Sequence, residues 1–427
     1  MSLRHRLCLI VLAAAACSDD GDRNPCASID TACTAIPVGA GGEEIQTAFV
    51  TATPGQTIGF GAGRYPIDRD LSLTVPNVRL VGAGSGEDGT ILAFDDSTGA
   101  QGILITGDAS TVEHLGVENT PGDSIKWEGV DGVTVRDVRV EWTNGPAETN
   151  GAYGLYPVQC ADVLIEDSYV RGASDAGIYV GQSDNIVVRN NVATENVAGI
   201  EIENSTRADV YDNTATKNTG GLLVFSLPGL QVANGRGTRV FGNRIVDNNT
   251  TNFAPAGNIV GLVPTGTGIA LLAAHEVEIF DNDIENHLSI HIGIIGYGTT
   301  MRPFTDPNYD AFTDTIHIHD NRIVGRAMAP TGDLGAFLII ALGEASINPN
   351  ATGVPDVVWD GDADPAKVDG AGNLMSQYAL CIKNNTRAGA AIDFANLRVP
   401  LRTDPVPTTD LAPHDCTLPA LPAVTLP

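Results

Sequence analysis

Between Ile178 and Gly221 short runs of alternating apolar and polar residues repeat as a block. The stretch IYVGQSDNIVVRNNVATENVAG is followed at once by IEIENSTRADVYDNTATKNTGG. Ile178 falls on Ile200, Val180 on Ile202, Asn191 on Asn213 and Asn196 on Asn218, a period of 22 residues. Alternation marks half-buried strands, and the Gly, Asn, Asp and Ser between the runs are turn formers. Three such runs per period, with each period stacked on the next, predict an all-β solenoid of parallel coils.

The pattern aliphatic-x-[Asp/Asn/Gly]-Asn recurs at Val188–Asn191, Val210–Asn213, Val240–Asn243, Ile279–Asn282, Ile318–Asn321 and Ile382–Asn385. Asn tolerates a left-handed backbone and bonds to its own chain at turns. Stacked coil on coil, these amides are expected to form a hydrogen-bonded ladder inside a bend. Earlier coils are predicted through Val78–Val81, Ile103–Ile105, Ser124–Trp127 and Leu155–Pro157. A short amphipathic helix over Glu43–Val50, with Ile45 and Phe49 on one face, is expected to cap the open end. Phe225–Gly237, Asn249–Gly268, Gly296–Asp314 and Glu344–Asn373 are too long for bends and read as loops, with a last strand region over Ala390–Val399. The organisation expected is a leader over 1–16, a tether with a Cys pair over 17–41, a β-helix over 42–400 and a Pro-rich tail over 401–427, lying as a strap or mobile.

Composition narrows the partners. A formal charge of −28 in 427 residues repels nucleic acid and anionic membranes. Arg4 and Arg6 followed by the apolar run Leu7–Ala16 read as an export signal, too short to span a membrane. Ala14-Ala15-Ala16-Cys17 resembles a bacterial lipoprotein box, which makes Cys17 the expected lipid-bearing residue and the cell envelope the expected location. An oxidising compartment permits disulfides, and Cys26 and Cys33 at one end and Cys381 and Cys416 at the other are candidates. Cys160 reads as a buried thiol.

The capped start, the coil length and the Asn pattern resemble the right-handed parallel β-helix of the pectate-lyase-like superfamily, over about residues 42–400. More narrowly, they resemble exported β-helix-repeat proteins of unassigned function. The superfamily holds lyases, hydrolases, epimerases, tailspikes and non-catalytic proteins, so the resemblance implies a fold and not a chemistry. Mannuronan C5-epimerases carry Tyr-Gly-[Phe/Ile]-Asp-Pro-His-Asp, and this chain has Tyr153-Gly154-Leu155-Tyr156-Pro157-Val158-Gln159. Tyr156 and Val158 replace the Asp and the His. Only Tyr153 carries over as an acid or base.

The repeat also assigns faces. With Ile178, Val180, Ile200 and Ile202 inward, the outward row is predicted to run Lys126, Tyr156, Tyr179, Glu201, Leu223, Ala270, His291, with Glu128, Glu203 and Phe225 in a parallel row. Tyr faces stack on sugar rings and carboxylates bond hydroxyls. The leading expectation is therefore binding of an extended ligand, a polysaccharide, along Lys126, Tyr156, Tyr179, Glu201, Glu203 and His291. An alternative is a polysaccharide lyase or C5-epimerase-like enzyme using Tyr153, Lys126 or His291. Another is a scaffold docking an envelope protein through an apolar patch at Phe225, Leu227 and Leu230. Asp360, Asp362 and Asp364 resemble the start of a calcium loop, although Pro365 and Ala371 depart from the EF-hand pattern. His317 and His319 alternate on one strand without a partner of known metal spacing.

Overall fold

The structure, a computed structural model, describes residues 25–27, 32–344, 347–370, 373–399 and 407–427. The leader, Cys17, the Ser18–Asn24 tether and the start of the Pro-rich tail lie outside the described residues. Eleven parallel strands, from Leu71–Leu73 to Phe394–Asn396, form a front sheet; a 22-stranded sheet wraps the back in two rows. One coil of the repeat crosses all three rows as Ala176–Gly181, Asp184–Arg189 and Val192–Thr194. Ala176 pairs with Ala198 and Val192 with Thr214, as the 22-residue period requires. Ile178, Val180, Ile186, Val188 and Ala193 point inward and are fully buried, so the alternation read from sequence is the core of the solenoid.

The asparagine ladder is present. Asn191 donates through Nδ2 to Asn213 Oδ1 at 3.0 Å, Asn213 to Asn243 at 3.0 Å, Asn243 to Asn282 at 3.0 Å, Asn282 to Asn321 at 2.9 Å and Asn321 to Asn385 at 2.8 Å. The backbone N–H of each rung bonds the same oxygen, and the second amide hydrogen reaches a carbonyl of the coil before, as from Asn213 to Val188. The residue just before each rung takes the left-handed conformation: Asn190, Asp212, Gly242, Asp281, Asp320 and Asn384 have φ between 53° and 63°. This explains the third position of the pattern, where only Asp, Asn and Gly occur. A second ladder runs Asn196, Asn218, Asn248 and ends on His287, whose Nε2 lies 3.1 Å from the Ile245 carbonyl.

Two departures from the sequence pattern bear on function, and at the C-terminus one of the two expected arrangements is realised. Cys33–Ile36 is a strand, parallel to Thr57–Phe60 and tied by the Cys26–Cys33 disulfide, so the solenoid begins inside the segment read as tether. Helix α1 (Gly42–Thr51) then buries Ile45 and Phe49 as expected. Helix α2 (Gly332–Glu344) is not foreseen by the pattern. Its Ala336–Leu342 run is apolar on all sides and shows no helical period. At the far end, the described tail, 407–427, is a strap. Cys416 is disulfide-bonded to Cys381, Leu421 N–H reaches Glu278, Val424 N–H reaches Asp209, and the Thr425 carbonyl accepts from Asn185.

Removing a rung leaves several buried polar groups unpaired at once. Asn213→Ala should cost roughly 3 kcal/mol. Asp212→Asn, which keeps a residue suited to the left-handed position, should stay within about 0.5 kcal/mol. Equilibrium guanidinium unfolding followed by circular dichroism compares the two; equal midpoints would remove the ladder's structural role.

Candidate functional site

The outward row of the front sheet follows the predicted register for six members. Lys126 stands beside Tyr156, Tyr179 beside Glu201, Glu201 beside Leu223 and Leu223 beside Ala270. The parallel row runs Glu128, Val158, Gly181, Glu203, Phe225. The seventh member is a correction. Gly293, not His291, stands beside Ala270, and Ile292 is the inward residue. The ladder residue of that coil is His287 rather than Asn286, and Leu288 adds one residue before the strand, so the register moves by two. His291 is fully buried, with its ring 5.8 Å from His287 and its Nδ1 3.6 Å from Asp356. Burial holds its pKa down to about 3, so it is a neutral core imidazole and cannot serve an exposed ligand.

The face is also less open than a solvated strand row. From Tyr179 upward it is roofed. The segments carrying Val260, Val263, Tyr297 and Tyr309 pack on Tyr179, Leu223, Phe225 and Leu272. Tyr309 donates to the Ser226 carbonyl at 2.6 Å, fastening that roof. Higher still, Leu338, Ala341 and Leu342 of α2 pack with Ile290, Val358 and Leu397. An apolar cavity of about 90 Å³, bounded by Phe225, Ile259, Leu272, Ile295, Phe337 and Leu338, separates roof and sheet. It is smaller than the roughly 150 Å³ that accommodates a benzene. Phe225 is buried and Leu227 packs against the same cluster, so two of the three residues of the expected apolar patch face inward, while Leu230 is half-buried.

Beneath the roof edge lie three carboxyls and three phenols. Tyr153, Tyr156 and Tyr179 form a ring cluster with centroids 4.5, 4.6 and 5.0 Å apart. Tyr179 folds over Gly181, where a Cβ would stand 2.3 Å from the phenol, and its hydroxyl donates to Glu203 at 2.6 Å. Asp175 accepts from Asn258 at 3.1 Å and lies 3.4 Å from the Tyr153 hydroxyl. Glu201 is 1 % exposed, and neither carboxylate oxygen has a hydrogen-bond partner. Burial, then the neighbouring Glu203 charge, pushes Asp175 up to about 7, and burial pushes Glu203 up to about 7. Burial, then Asp175, drives Glu201 well above the carboxylate range. The three are therefore held toward their neutral forms, and the Tyr153 and Tyr179 phenols are kept protonated by the same burial.

Sequence reasoning missed Asp175. It occupies the place of Val197 in the next coil, so an acid at an apolar position of the repeat was the available signal. At the open edge, Lys126 Nζ lies 5.3 Å from the centre of the Tyr156 ring and 3.2 Å from Glu128, and both Lys126 and Tyr156 are half-buried. Below them Leu104 and Ser72 continue the row, half-buried and unroofed. The proposed calcium residues are used otherwise. Asp360 accepts from Gly296 N–H at 2.8 Å, Thr299 at 2.5 Å and Asp362 N–H at 2.9 Å, while Asp364 caps its own turn at Ala366. Asp360 thereby anchors the 296–299 end of the roof. Cys160 is a buried free thiol, as expected, at the bend after Tyr153–Val158.

With the geometry in place, a family model described as a right-handed beta helix region matches residues 101–256. The A-module of mannuronan C-5 epimerase AlgE4 from Azotobacter vinelandii is similar over 83 % of this chain and 94 % of its own, with a TM-score of 0.52 at 16 % identity. The A-module of AlgE6 from the same organism covers 82 % and 93 % at 16 % identity, TM-score 0.47. An alginate lyase from Paenibacillus sp. covers 84 % and 96 % at 14 % identity, TM-score 0.37. A search of curated proteins finds no match. Identity this low speaks to fold alone. The chain is a right-handed parallel β-helix protein. The resemblance to pectate-lyase-like proteins holds at that level.

A carboxyl whose pKa is higher folded than unfolded stabilises the fold fully below its unfolded pKa, and that contribution is lost as pH rises through the folded value. His287 and His291, with pKa values depressed by burial, act oppositely and only below about pH 6.5. A double variant, Asp175→Asn with Glu203→Gln, isolates the carboxyls. Moving from pH 5 to pH 8 should destabilise the native chain relative to this variant by about 2 kcal/mol or more, read by thermal melts in matched buffers. Parallel pH profiles for the two would show that the carboxyls are not buried as described.

Proposed function

We propose that the chain binds an extended polysaccharide on the unroofed lower half of the front sheet, from Ser72 and Leu104 to Lys126 and Tyr156. The observation that carries this reading is the Lys126–Tyr156 edge. There a half-exposed aromatic face and a cation open directly onto a row of stacked strands. Sugar rings stack on such faces, and Glu128 offers acceptors to hydroxyls. The roof over Tyr179 and Glu201 ends the groove, so the ligand covers the lower coils rather than the whole row. With Lys126 flanked by Glu128 and Asp123, and a net charge of −28, a neutral chain suits the groove better than a polyanion. The mannuronan C-5 epimerase named among the structural neighbours lends a prior for a polysaccharide ligand in general, although its own polymer is anionic.

A second reading is a lyase or C5-epimerase-like enzyme, favoured by the Tyr153 phenol lying 3.4 Å from Asp175, a carboxyl that burial pushes up to about 7. A panel of neutral and acidic polysaccharides, scored for binding and for unsaturated product, separates the two. The binding reading expects affinity reduced at least tenfold by Tyr156→Ala, with no product. Product abolished by Tyr153→Phe would put the enzyme first, and no binding to any glycan would defeat both.

We also propose that the protein is exported and anchored to the envelope through a lipid on Cys17. The Cys26–Cys33 and Cys381–Cys416 disulfides support export, because such bonds persist in oxidising compartments. No helix among the described residues is long and apolar enough to cross a membrane. Cys17→Ala should move the protein from the membrane pellet to the soluble fraction; an unchanged distribution would reject the anchor.

A further inference from the structure

The rear face carries a cluster that neither the groove nor the ladder uses. Glu278 lies on the strand His275–Phe280, directly beside His317 on Asp314–His319, and His319 follows two residues on, on the same side. One ligand atom of each of the three lies within 4.8 Å of the others. Glu278 Oε1 faces both imidazoles, 3.3 Å from His319 Nε2 and 3.9 Å from His317 Nδ1. Two ligand atoms about 2.1 Å from a tetrahedral metal stand roughly 3.4 Å apart, so these separations suit a shared ion.

The other polar atoms are arranged to leave the centre free. Glu278 Oε2 accepts from the Leu421 N–H of the C-terminal strap at 3.1 Å, which leaves Oε1 for the imidazoles. His319 Nδ1 lies 2.7 Å from Asp320, the carboxylate–imidazole contact that orients a metal-bound histidine. His319 is further held by stacking on Phe280, centroids 5.2 Å apart and 1° from parallel. His317 is 6 % exposed, and neither ring nitrogen has a hydrogen-bond partner. A pocket of about 460 Å³ bounded by His317, Glu278, Thr315 and the strap residues Thr417–Leu421 gives room for water ligands. In the second such cluster, His275 with Asp310 and Asp314, Lys367 Nζ lies 2.5 and 2.6 Å from the two carboxylates; at Glu278 the neighbouring cation, Arg239 Nε, stands 3.7 Å away and on Oε2 rather than Oε1.

We propose that Glu278, His317 and His319 form a binding site for a transition-metal dication of the Zn²⁺, Co²⁺ or Ni²⁺ class, under the C-terminal strap. Two imidazoles and one carboxylate are ligands of that class and not of calcium. Because Glu278 also holds Leu421, the ion ties the strap to the solenoid. This site is independent of the glycan groove.

Calorimetric titration of the untagged, chelator-treated chain with Zn²⁺ should give one ion per chain. Affinity should fall at least a hundredfold in His317→Gln and in Glu278→Gln and be unchanged in His114→Gln, which alters a histidine elsewhere. Calcium should not compete. The Co²⁺-loaded native chain needs no variant. Intense visible bands of four- or five-coordinate Co²⁺ are expected, with slower proteolysis of the strap in the presence of metal. Absence of saturable binding, equal affinity in all variants, or the weak spectrum of six-coordinate Co²⁺ would overturn the site.

Discussion

Everything in this molecule depends on turning a sharp corner once per coil without leaving backbone or amide groups unpaired. A parallel strand that ends in a tight bend leaves donors and acceptors facing the core, where each unpaired group costs on the order of 1–3 kcal/mol. The Asn191-to-Asn385 ladder answers this with a single side chain per coil. Each amide oxygen accepts from the backbone N–H and the Nδ2 of the rung before it, and each amide nitrogen donates both to the next rung and back to a carbonyl of the preceding coil. The left-handed residue before each rung sets the turn. Because every rung bonds the next, the coils share one register, and the outward residues of the front sheet fall into straight rows. The ladder reaches the groove only through the Tyr153–Val158 coil, where Ser168 N–H bonds Asn191 Oδ1 and Ser168 Oγ accepts from Val138 N–H; below that, the parallel strand pairing keeps the row straight.

The two faces then diverge. On the rear, arginines pair with carboxylates of neighbouring coils, Arg136 and Arg189 with Glu166, Arg139 with Glu118, and Arg171 with Glu141 and Glu195, while Arg139 also pairs with Glu141 on its own strand. Much of the chain's limited positive charge is spent there, which leaves Lys126 amid acids on the front. The upper front is closed by the long insertions and α2, and its carboxyls are almost wholly buried, which holds them toward their neutral forms. The lower front keeps an aromatic and cationic edge open. Insertions do not merely decorate the β-helix here; they decide which part of a continuous row is available to a ligand.

Much of this was legible in the sequence because a solenoid repeats its physics. The alternation around Ile178 and Ile200, the Asn positions, the α1 cap and six of the seven outward residues could be read directly. The errors have local causes. Leu288 is one extra residue after a ladder position taken by His287 instead of Asn, and that change moved His291 from the face to the core. Helix α2 was invisible because Ala336–Leu342 carries no polar stripe. The roof over Tyr179 and Glu201 is tertiary, built from segments such as Asn258 and Tyr309 that have no counterpart in other coils. Alternation reports which side of a strand a residue takes and is silent on what covers that side.

The central claim is that ligand binding is confined to the unroofed coils. Hydrogen–deuterium exchange with and without a saturating bound oligosaccharide tests this most directly. The account predicts added protection over Ile125–Glu128 and Tyr153–Val158, with Thr267–Leu272 and Ile290–Ile295 unchanged. Protection centred on the roof segments or α2, or none on the lower front strands, would contradict it.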